Sequence, residues 1–96
     1  MVTFSFREFG ENLGTRQLGQ QVREQLMPLL LQDERVVLDF TEVNVVSNSF
    51  ADECIAKLLL TMPLSELKQR TTFRGLNPLA SESILTALQR RHLAMA

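Results

Sequence analysis

Apolar residues recur along the chain with two different spacings, and together these predict alternating strands and helices. Val2, Phe4 and Phe6 alternate with polar residues, and a spacing of two indicates a half-buried strand near the edge of a sheet. Residues 34–40, ERVVLDF, instead hold a nearly continuous, β-branched apolar run. Such a run is typical of a central parallel strand that is covered on both faces. A third strand is predicted for residues 71–76, TTFRGL.

A first helix is predicted over residues 15–31, where apolar residues at spacings of three and four fall on one helical face. Thr15 suits the N-cap, because its hydroxyl can accept a free amide of the first turn. Pro28 should kink or end the helix, since proline lacks the amide hydrogen that a helical turn needs. Arg16 and Arg23 lie on the outer face; they could reach an anionic group, but solvated surface is the simpler expectation.

Two further helices are predicted later in the chain. One runs from Ser49 to about Leu60, and Ser49 with Asp52 three residues later has the form of a capping box. The other begins with Asn77 as its N-cap and Pro78 as its first residue, two positions that suit these residue types.

The alternating order predicts an α/β domain with helices packed on a small mixed or mostly parallel sheet. The segment LSELKQR, residues 64–70, is expected to be a connection with one short helical turn at most. The 96 residues are long enough for one small domain, 1–96, with a core that needs no disulfide or structural metal.

Charge and composition narrow the class of function. The net charge is −1 and no basic stripe with interleaved aromatic residues is visible, so nucleic-acid binding is not expected. No apolar run approaches the roughly 20 residues of a membrane span, and the N-terminus lacks the pattern of a signal peptide. The single cysteine, Cys54, cannot form an internal disulfide. These features predict a cytoplasmic protein in a reducing compartment, without membrane association.

The segment VVSNSFADE, residues 45–53, is the strongest candidate for function. Three roles are open for Ser47 and Ser49: helix capping, reversible phosphorylation and nucleophilic catalysis. Catalysis needs a nearby base, but the one histidine, His92, falls in the last helix, and no Gly-x-Ser-x-Gly segment is present. An enzyme is therefore not expected. Asp52 and Glu53 would oppose a phosphate on either serine and could make the modified state strained.

A second class of function is open at the ends of the strands. Asp39 follows a buried strand, where α/β proteins often bind ligands, but it also suits a turn. With Ser47 and Asn77 it defines an alternative small-molecule or nucleotide site. No spacing of acidic residues demands a metal ion, and no cofactor is expected. Cys54 lies on the apolar face of its helix and is expected to be a small buried hydrophobe.

The segment VVLDFTEVNVVSNSFADECIAKLL, residues 36–59, resembles the STAS-like domain family of bacterial and phage proteins, a family often described only as a domain of unknown function. The flanking segments GENLGTRQLGQQVREQL and FRGLNP are also similar to that family, so the resemblance covers most of the chain. It implies a small mixed, mostly parallel sheet with helices packed largely on one face.

The resemblance also implies a regulatory role. Related STAS domains include anti-sigma-factor antagonists, several of which bind a serine kinase of the histidine-kinase-like ATPase fold and are switched by phosphorylation at a helix start. Their Asp-Ser-Ser/Thr-Gly site aligns with residues 47–50, which places Ser49 at the phosphorylated position. Ser47 replaces the acidic residue and Phe50 replaces the glycine. The Phe50 ring could block a kinase or could serve as an anchor for a partner.

We therefore expect a non-enzymatic regulatory domain that binds a protein partner, such as an ATPase-type serine kinase, under control of Ser49. A homodimer formed through the edge strand of residues 2–6 is a further possibility. The candidate partner-binding residues flank Ser49; they are Ser47, Asn48, Phe50 and Asp52.

Overall fold

A computed structural model describes residues 1–32 and 35–95, and strands and helices alternate along them as the spacing of apolar residues predicts. The predicted first residue of the central strand, Glu34, and the last residue of the predicted domain, Ala96, lie outside the described residues. In chain order the strands and α-helices are β1 (Val2–Ser5), β2 (Asn12–Leu13), α1 (Arg16–Leu30), β3 (Val36–Asp39), β4 (Val45–Val46), α2 (Asn48–Cys54), α3 (Leu64–Arg70), β5 (Thr71–Arg74) and α4 (Pro78–Met95).

The main sheet has the order β1-β3-β5, and both pairings are parallel. Val36 of the central strand pairs with Val2 on one side and with Thr71 on the other. A two-residue parallel pairing joins β2 to β4 beside this sheet. The predicted α/β class, the parallel strands, the central β3 and the edge position of β1 are confirmed, whereas a homodimer through β1 stays a prediction.

The helices lie mainly against one face of the main sheet. Val36 and Leu38 point into a core that they share with Val22 and Leu26 of α1. On the opposite face Val37 is also buried, although its two partners in the neighbouring strands are exposed threonines. The apolar side chains of the central strand are therefore buried on both faces of the sheet, whereas the positions beside Val37 in the two edge strands are exposed.

Aromatic side chains connect the sheet to α2. Phe6 stacks on Phe40 with ring centroids 4.0 Å apart, and Phe50 meets Phe6 edge-on at 6.5 Å. All three rings are fully buried. Since the contacts join a short 3₁₀ helix, the end of β3 and the first turn of α2, they fix where α2 begins relative to the sheet.

The second half of the chain departs from the predicted elements in two places. The predicted helix over residues 49–60 is two elements, because α2 ends at Cys54 and a 3₁₀ helix, Ala56–Leu60, continues the chain. Residues 64–70 form the two-turn helix α3, longer than the single turn expected. The apolar face of α3 consists of Leu67, which is buried, and Leu64, which is partly buried against the core, and two residues are too few to reveal a helical period. No helix in the described part of the chain is long and apolar enough to cross a membrane.

Helix α1 confirms its predicted start and approaches α2 very closely. The Thr15 hydroxyl accepts a hydrogen bond from the Leu18 amide at 3.1 Å, and the helix ends two residues after Pro28. Gly19 is buried at the contact, where a Cβ atom would lie 2.9 Å from the Cβ of Glu53 and 3.2 Å from the Phe50 carbonyl oxygen. A side chain of any size at this position would therefore push the two helices apart.

We expect Gly19→Ala to destabilise the domain by about 1–3 kcal/mol, because the clash outweighs the better helix propensity of alanine. Urea unfolding of the purified proteins measures the change. Gly14→Ala is the matched control, since no atom of the described residues outside its chain neighbours lies within 4 Å of the Cβ that it adds. It should stay within about 0.5 kcal/mol of wild type. A Gly19→Ala protein as stable as this control would contradict the close approach.

Candidate functional site

Ser47 is the N-cap of α2. Its backbone is extended, its Oγ accepts a hydrogen bond from the Phe50 amide at 3.0 Å, and the same hydroxyl donates to the Gly14 carbonyl at 2.9 Å. The predicted cap at Ser49 is therefore wrong, and α2 begins one residue earlier than expected. The physical reason is that β4 ends at Val46, so Ser47 is the first residue free to accept an amide of the new helix.

Ser49 is the second residue of α2 and is half-buried at the mouth of a cleft between α1, α2 and α4. Among the contacts of residues 1–32 and 35–95, its hydroxyl has no hydrogen-bond partner. The cleft has a volume of about 310 Å³. It is lined by Arg16, Asn48, Ser49, Asp52, Thr86, Ala87 and Arg90.

Asp52 forms the centre of an ion-pair network at this cleft. Arg91 of α4 donates to both of its carboxylate oxygens, at 2.7 and 2.9 Å, and Arg16 of α1 donates to Oδ2 at 2.8 Å. These hydrogen bonds, that of Arg91 first, lower the pKa of Asp52 from 3.8 to about 2 although partial burial opposes the shift. Arg16 is thus an ion-pair partner rather than merely a solvated residue.

Glu53 continues the network into the interior. Its side chain is 8% exposed and is bound by Lys57 at 2.9 Å and by Arg23 at 2.8 Å. Arg23 also donates to the Glu53 carbonyl oxygen. The hydrogen bond from Lys57, followed by that from Arg23, lowers the pKa of Glu53 despite its burial. The expectation that Arg23 is solvated surface is wrong, because it compensates a buried carboxylate.

The two acidic residues therefore carry no uncompensated negative charge. Five cationic side chains accompany these two carboxylates: Arg16 and Arg90 line the cleft, and Arg91, Arg23 and Lys57 are bound to Asp52 or Glu53. The cluster has three more positive than negative groups, in a chain whose net charge is −1. The expected repulsion between Asp52, Glu53 and a phosphate on Ser49 is thus offset by neighbouring arginines.

The residues of the alternative ligand site are not part of this cleft. Asp39 accepts hydrogen bonds from the amide and the hydroxyl of Thr41, at 2.9 and 2.6 Å, and the hydroxyl bond is the main cause of its lowered pKa. Asn77 accepts from the Ala80 amide at 2.8 Å and donates to the Asn44 carbonyl at 2.9 Å. Asp39 is thus a turn residue and Asn77 the predicted helix cap. No three acidic, histidine or cysteine side chains gather as metal ligands within the described ranges.

The remaining predicted residues divide between the cleft and the core. Asn48 is exposed at the cleft, whereas Phe50 is fully buried against Phe6 and offers no surface to a partner in this conformation. Cys54 is buried as predicted, and burial raises the pKa of its thiol to about 12. His92 is exposed in the last turn of α4 and lines a separate apolar groove beside α3.

Sequence reasoning missed the contribution of α4 to the site. Thr86 and Arg90 are four residues apart and therefore share one helical face, and Arg91 reaches Asp52 from the next position. The signal available in the sequence was the dibasic Arg90-Arg91 pair, which could balance the acidic pair at 52–53. Only the folded chain brings these residues together, across 39 positions.

The parallel α/β sheet with helices mainly on one face, and the serine-rich start of α2 after a short strand, are features expected of a STAS-like domain. The comparison with sequence families agrees: residues 19–79 match the STAS-like domain of unknown function (DUF4325), and the chain belongs to that family. The match includes Ser49 and Asp52 but not Arg16 or Arg90. No curated protein and no solved structure matches the chain.

The two serines should differ in their effect on stability. Ser47→Ala removes both the cap and the bond to Gly14, so we expect a loss of about 1–2 kcal/mol, whereas Ser49→Ala removes no hydrogen bond and should stay within about 0.5 kcal/mol of wild type. Urea unfolding measures both values. Equal losses for the two variants would show that the cap is not at Ser47.

Asp52 makes the stability depend on pH. Because its folded-state pKa is lowered, its contribution is complete above the ordinary value of 3.8 and is lost as the pH falls through about 2. We expect Asp52→Asn to lower the free energy of unfolding by about 1–2 kcal/mol at pH 7. This loss is smaller than the full value that the lowered pKa implies, because solvent screens the ion pair with the exposed Arg16.

Urea unfolding of Asp52→Asn and wild type at several pH values tests this dependence. The difference between the two proteins should narrow as the pH falls below 4. Glu82→Gln is the control, because Glu82 is an exposed acidic residue of α4 without an ion pair in the described part of the chain. If the difference in unfolding free energy between the two proteins stays constant from pH 7 down to the pH at which they unfold, the role of the Asp52 charge is contradicted.

Proposed function

We propose that this STAS-like domain is a regulatory protein-interaction module rather than an enzyme, and that Ser49 is the hydroxyl through which it is controlled. One observation carries the proposal. Ser47 uses its hydroxyl twice within the fold, whereas the Ser49 hydroxyl has no partner among the described residues and opens onto the cleft. A modification of Ser49 therefore breaks no hydrogen bond of its hydroxyl among residues 1–32 and 35–95.

The neighbouring aromatic ring does not oppose this role. Phe50 stands where related STAS domains have a glycine, but its side chain is fully buried and contacts Phe6 in the core. The ring therefore extends away from the surface that a kinase would approach. The departure from the related motif is accommodated inside the domain.

Charge suggests how a modification would act on a partner. The surface around Asn48, Ser49 and Asp52 includes Arg16 and Arg90 and is positive on balance, so an acidic patch on a partner would complement it. A phosphoserine adds a charge of about −1.5 to −2. Such a group would cancel the positive excess and weaken the association. By its resemblance to related STAS domains, an ATPase-type serine kinase is the leading candidate partner.

Catalysis and nucleotide binding are supported less well. A general base must lie within hydrogen-bond reach of the group that it deprotonates, but the carboxylates nearest Ser49 in sequence are held by arginine and lysine side chains. Asp39 and Asn77, the residues of the alternative ligand site, already bind main-chain groups of their own domain. For catalysis and nucleotide binding the structure offers no observation as direct as the Ser49 hydroxyl, which has no hydrogen-bond partner among the described residues.

The test is a pull-down from lysate of the source cells with tagged wild type and tagged Ser49→Asp, followed by mass spectrometry. We expect a partner that wild type retains and Ser49→Asp loses. Ser65→Asp is a matched control, because Ser65 is also the second residue of a seven-residue helix but is distant in sequence from the cleft residues of α2. It should retain the partner.

The opposite result has a clear meaning. If Ser49→Asp retains the same partner as wild type, or if Ser65→Asp loses it to the same degree, a negative charge at Ser49 is not the controlling signal. Modification itself is measured on the tryptic peptide of residues 36–57, in which fragment ions distinguish Ser47 from Ser49. Phosphate on Ser47 would also contradict the proposal, since that hydroxyl caps α2.

A further inference from the structure

The cleft beside Ser49 has the composition of an anion-binding site. Its volume of about 310 Å³ is at the lower end of the range for small-molecule sites. Two arginines, Arg16 and Arg90, line it, together with the hydroxyls of Ser49 and Thr86 and the amide of Asn48. Every one of these five side chains can donate a hydrogen bond to an oxyanion.

Most of these donors are not used within the fold. In the contacts of the described residues, Arg90 has no hydrogen bond or ion pair, and neither do the side chains of Asn48, Ser49 and Thr86. Arg16 donates only through Nη1, to Asp52 and Glu53, which leaves its Nε and Nη2 hydrogens available. The unused donors converge on one cleft from three different helices.

The one acidic residue of the cleft does not cancel this positive character. Both carboxylate oxygens of Asp52 are occupied, by Arg91 and by Arg16. Arg90 then remains as a positive charge without a counterion in the described part of the chain. Counted together, the three arginines around Asp52, namely Arg16, Arg90 and Arg91, exceed its charge by two, so a dianion balances them and a carboxylate does not. Two guanidinium groups also provide the paired N–H geometry that phosphate oxygens accept.

We propose that the cleft is a receptor for a phosphomonoester dianion, held between Arg16 and Arg90 with Ser49, Thr86 and Asn48 as neutral donors. The group can come from two sources: a phosphate attached to Ser49, or the phosphomonoester of a separate ligand. The inference rests on the proposed function for the first source only. The second source needs neither a kinase nor a partner.

The first experiment uses the purified, unmodified protein. Inorganic phosphate and free O-phosphoserine are titrated at constant ionic strength while amide signals of residues 48–52 and 86–91 are followed by NMR, with acetate as the carboxylate comparison. We expect saturable shifts with both phosphates and weaker shifts with acetate. Arg90→Gln should raise the dissociation constant about tenfold, as expected for the loss of a charge-assisted hydrogen bond.

Two variants make the assignment specific. Arg74→Gln removes another exposed arginine, in β5 and outside the cleft, and should leave the dissociation constant unchanged. Arg90→Lys should restore part of the affinity, because it keeps the charge but loses the paired donors. If Arg90→Gln and Arg74→Gln weaken binding equally, the effect is one of general charge and the proposed site is overturned.

The second experiment distinguishes the two sources. Phosphoserine is incorporated at position 49, and its titration is followed by ³¹P NMR in the folded and in the urea-unfolded protein. For an attached phosphate held by the arginines, the folded-state midpoint should be lower, because neighbouring cations favour the dianion; Arg90→Gln should reverse this shift. Free phosphate should then no longer bind, since the attached group occupies the cleft.

Every outcome decides between these possibilities. Saturable binding of free phosphate to the unmodified protein identifies a ligand site, and a lowered midpoint without such binding identifies the attached phosphate as the occupant. Both effects together show that the same receptor accepts a phosphate from either source. If neither effect is observed, or if acetate binds as well as phosphate, the receptor proposal is overturned. The proposed partner interaction can fail while the cleft still binds phosphate, so the pull-down and these titrations test the two proposals separately.

Discussion

The close approach of α1 to α2 at Gly19 is the constraint on which the candidate site depends. Without a side chain there, the helices come together until a Cβ atom at Gly19 would lie only 2.9 Å from the Cβ of Glu53. This contact encloses the Glu53 carboxylate, and enclosing a charge is costly unless it is paired and hydrogen-bonded. Arg23, one turn beyond Gly19, supplies that pairing. The close packing of α1 on α2 therefore requires that the charge of Glu53 be compensated at the same contact.

The ion pairs of Asp52 also position α4, the third helix that borders the cleft. Two of the buried residues of α4 are small, Ala80 and Ala87, so apolar packing alone gives this helix few large anchors. The two hydrogen bonds from Arg91 to Asp52 attach the C-terminal half of α4 to α2, while the hydrogen bond from Arg16 attaches Asp52 to α1. A single carboxylate thus connects three helices. The cleft is the space that these helices leave between them on the side of Ser49.

The sequence predicts the strands and α1 well, since the alternation of Val2, Phe4 and Phe6 and the continuous apolar run of β3 depend only on local spacing. The capping serine was not predictable in the same way. Ser47 and Ser49 are equally suitable N-caps, and the choice depends on where β4 ends. Apart from the Lys57–Glu53 pair, which is four residues apart, the ion pairs of Asp52 and Glu53 join residues that are 30 to 39 positions apart, a separation at which no local pattern operates.

Asp52 has a further consequence for the site. Without it, Arg16, Arg90 and Arg91 would be grouped at the meeting point of three helices, and the carboxylate of Glu53, 3.5 Å from Arg16, would be their main opposing charge. The mutual repulsion of the three arginines would then oppose the packing of α4. With it, the network is balanced enough to fold and still retains an excess of positive charge at the cleft. The carboxylate uses both of its oxygens on Arg16 and Arg91, and Arg90 and the Ser49 hydroxyl have no partner within the part of the chain that the structure describes. The stabilising ion pairs and the unused donors are thus two results of the same arrangement. Donors that the fold itself does not satisfy are expected at a functional site, and here they lie at the proposed anion site.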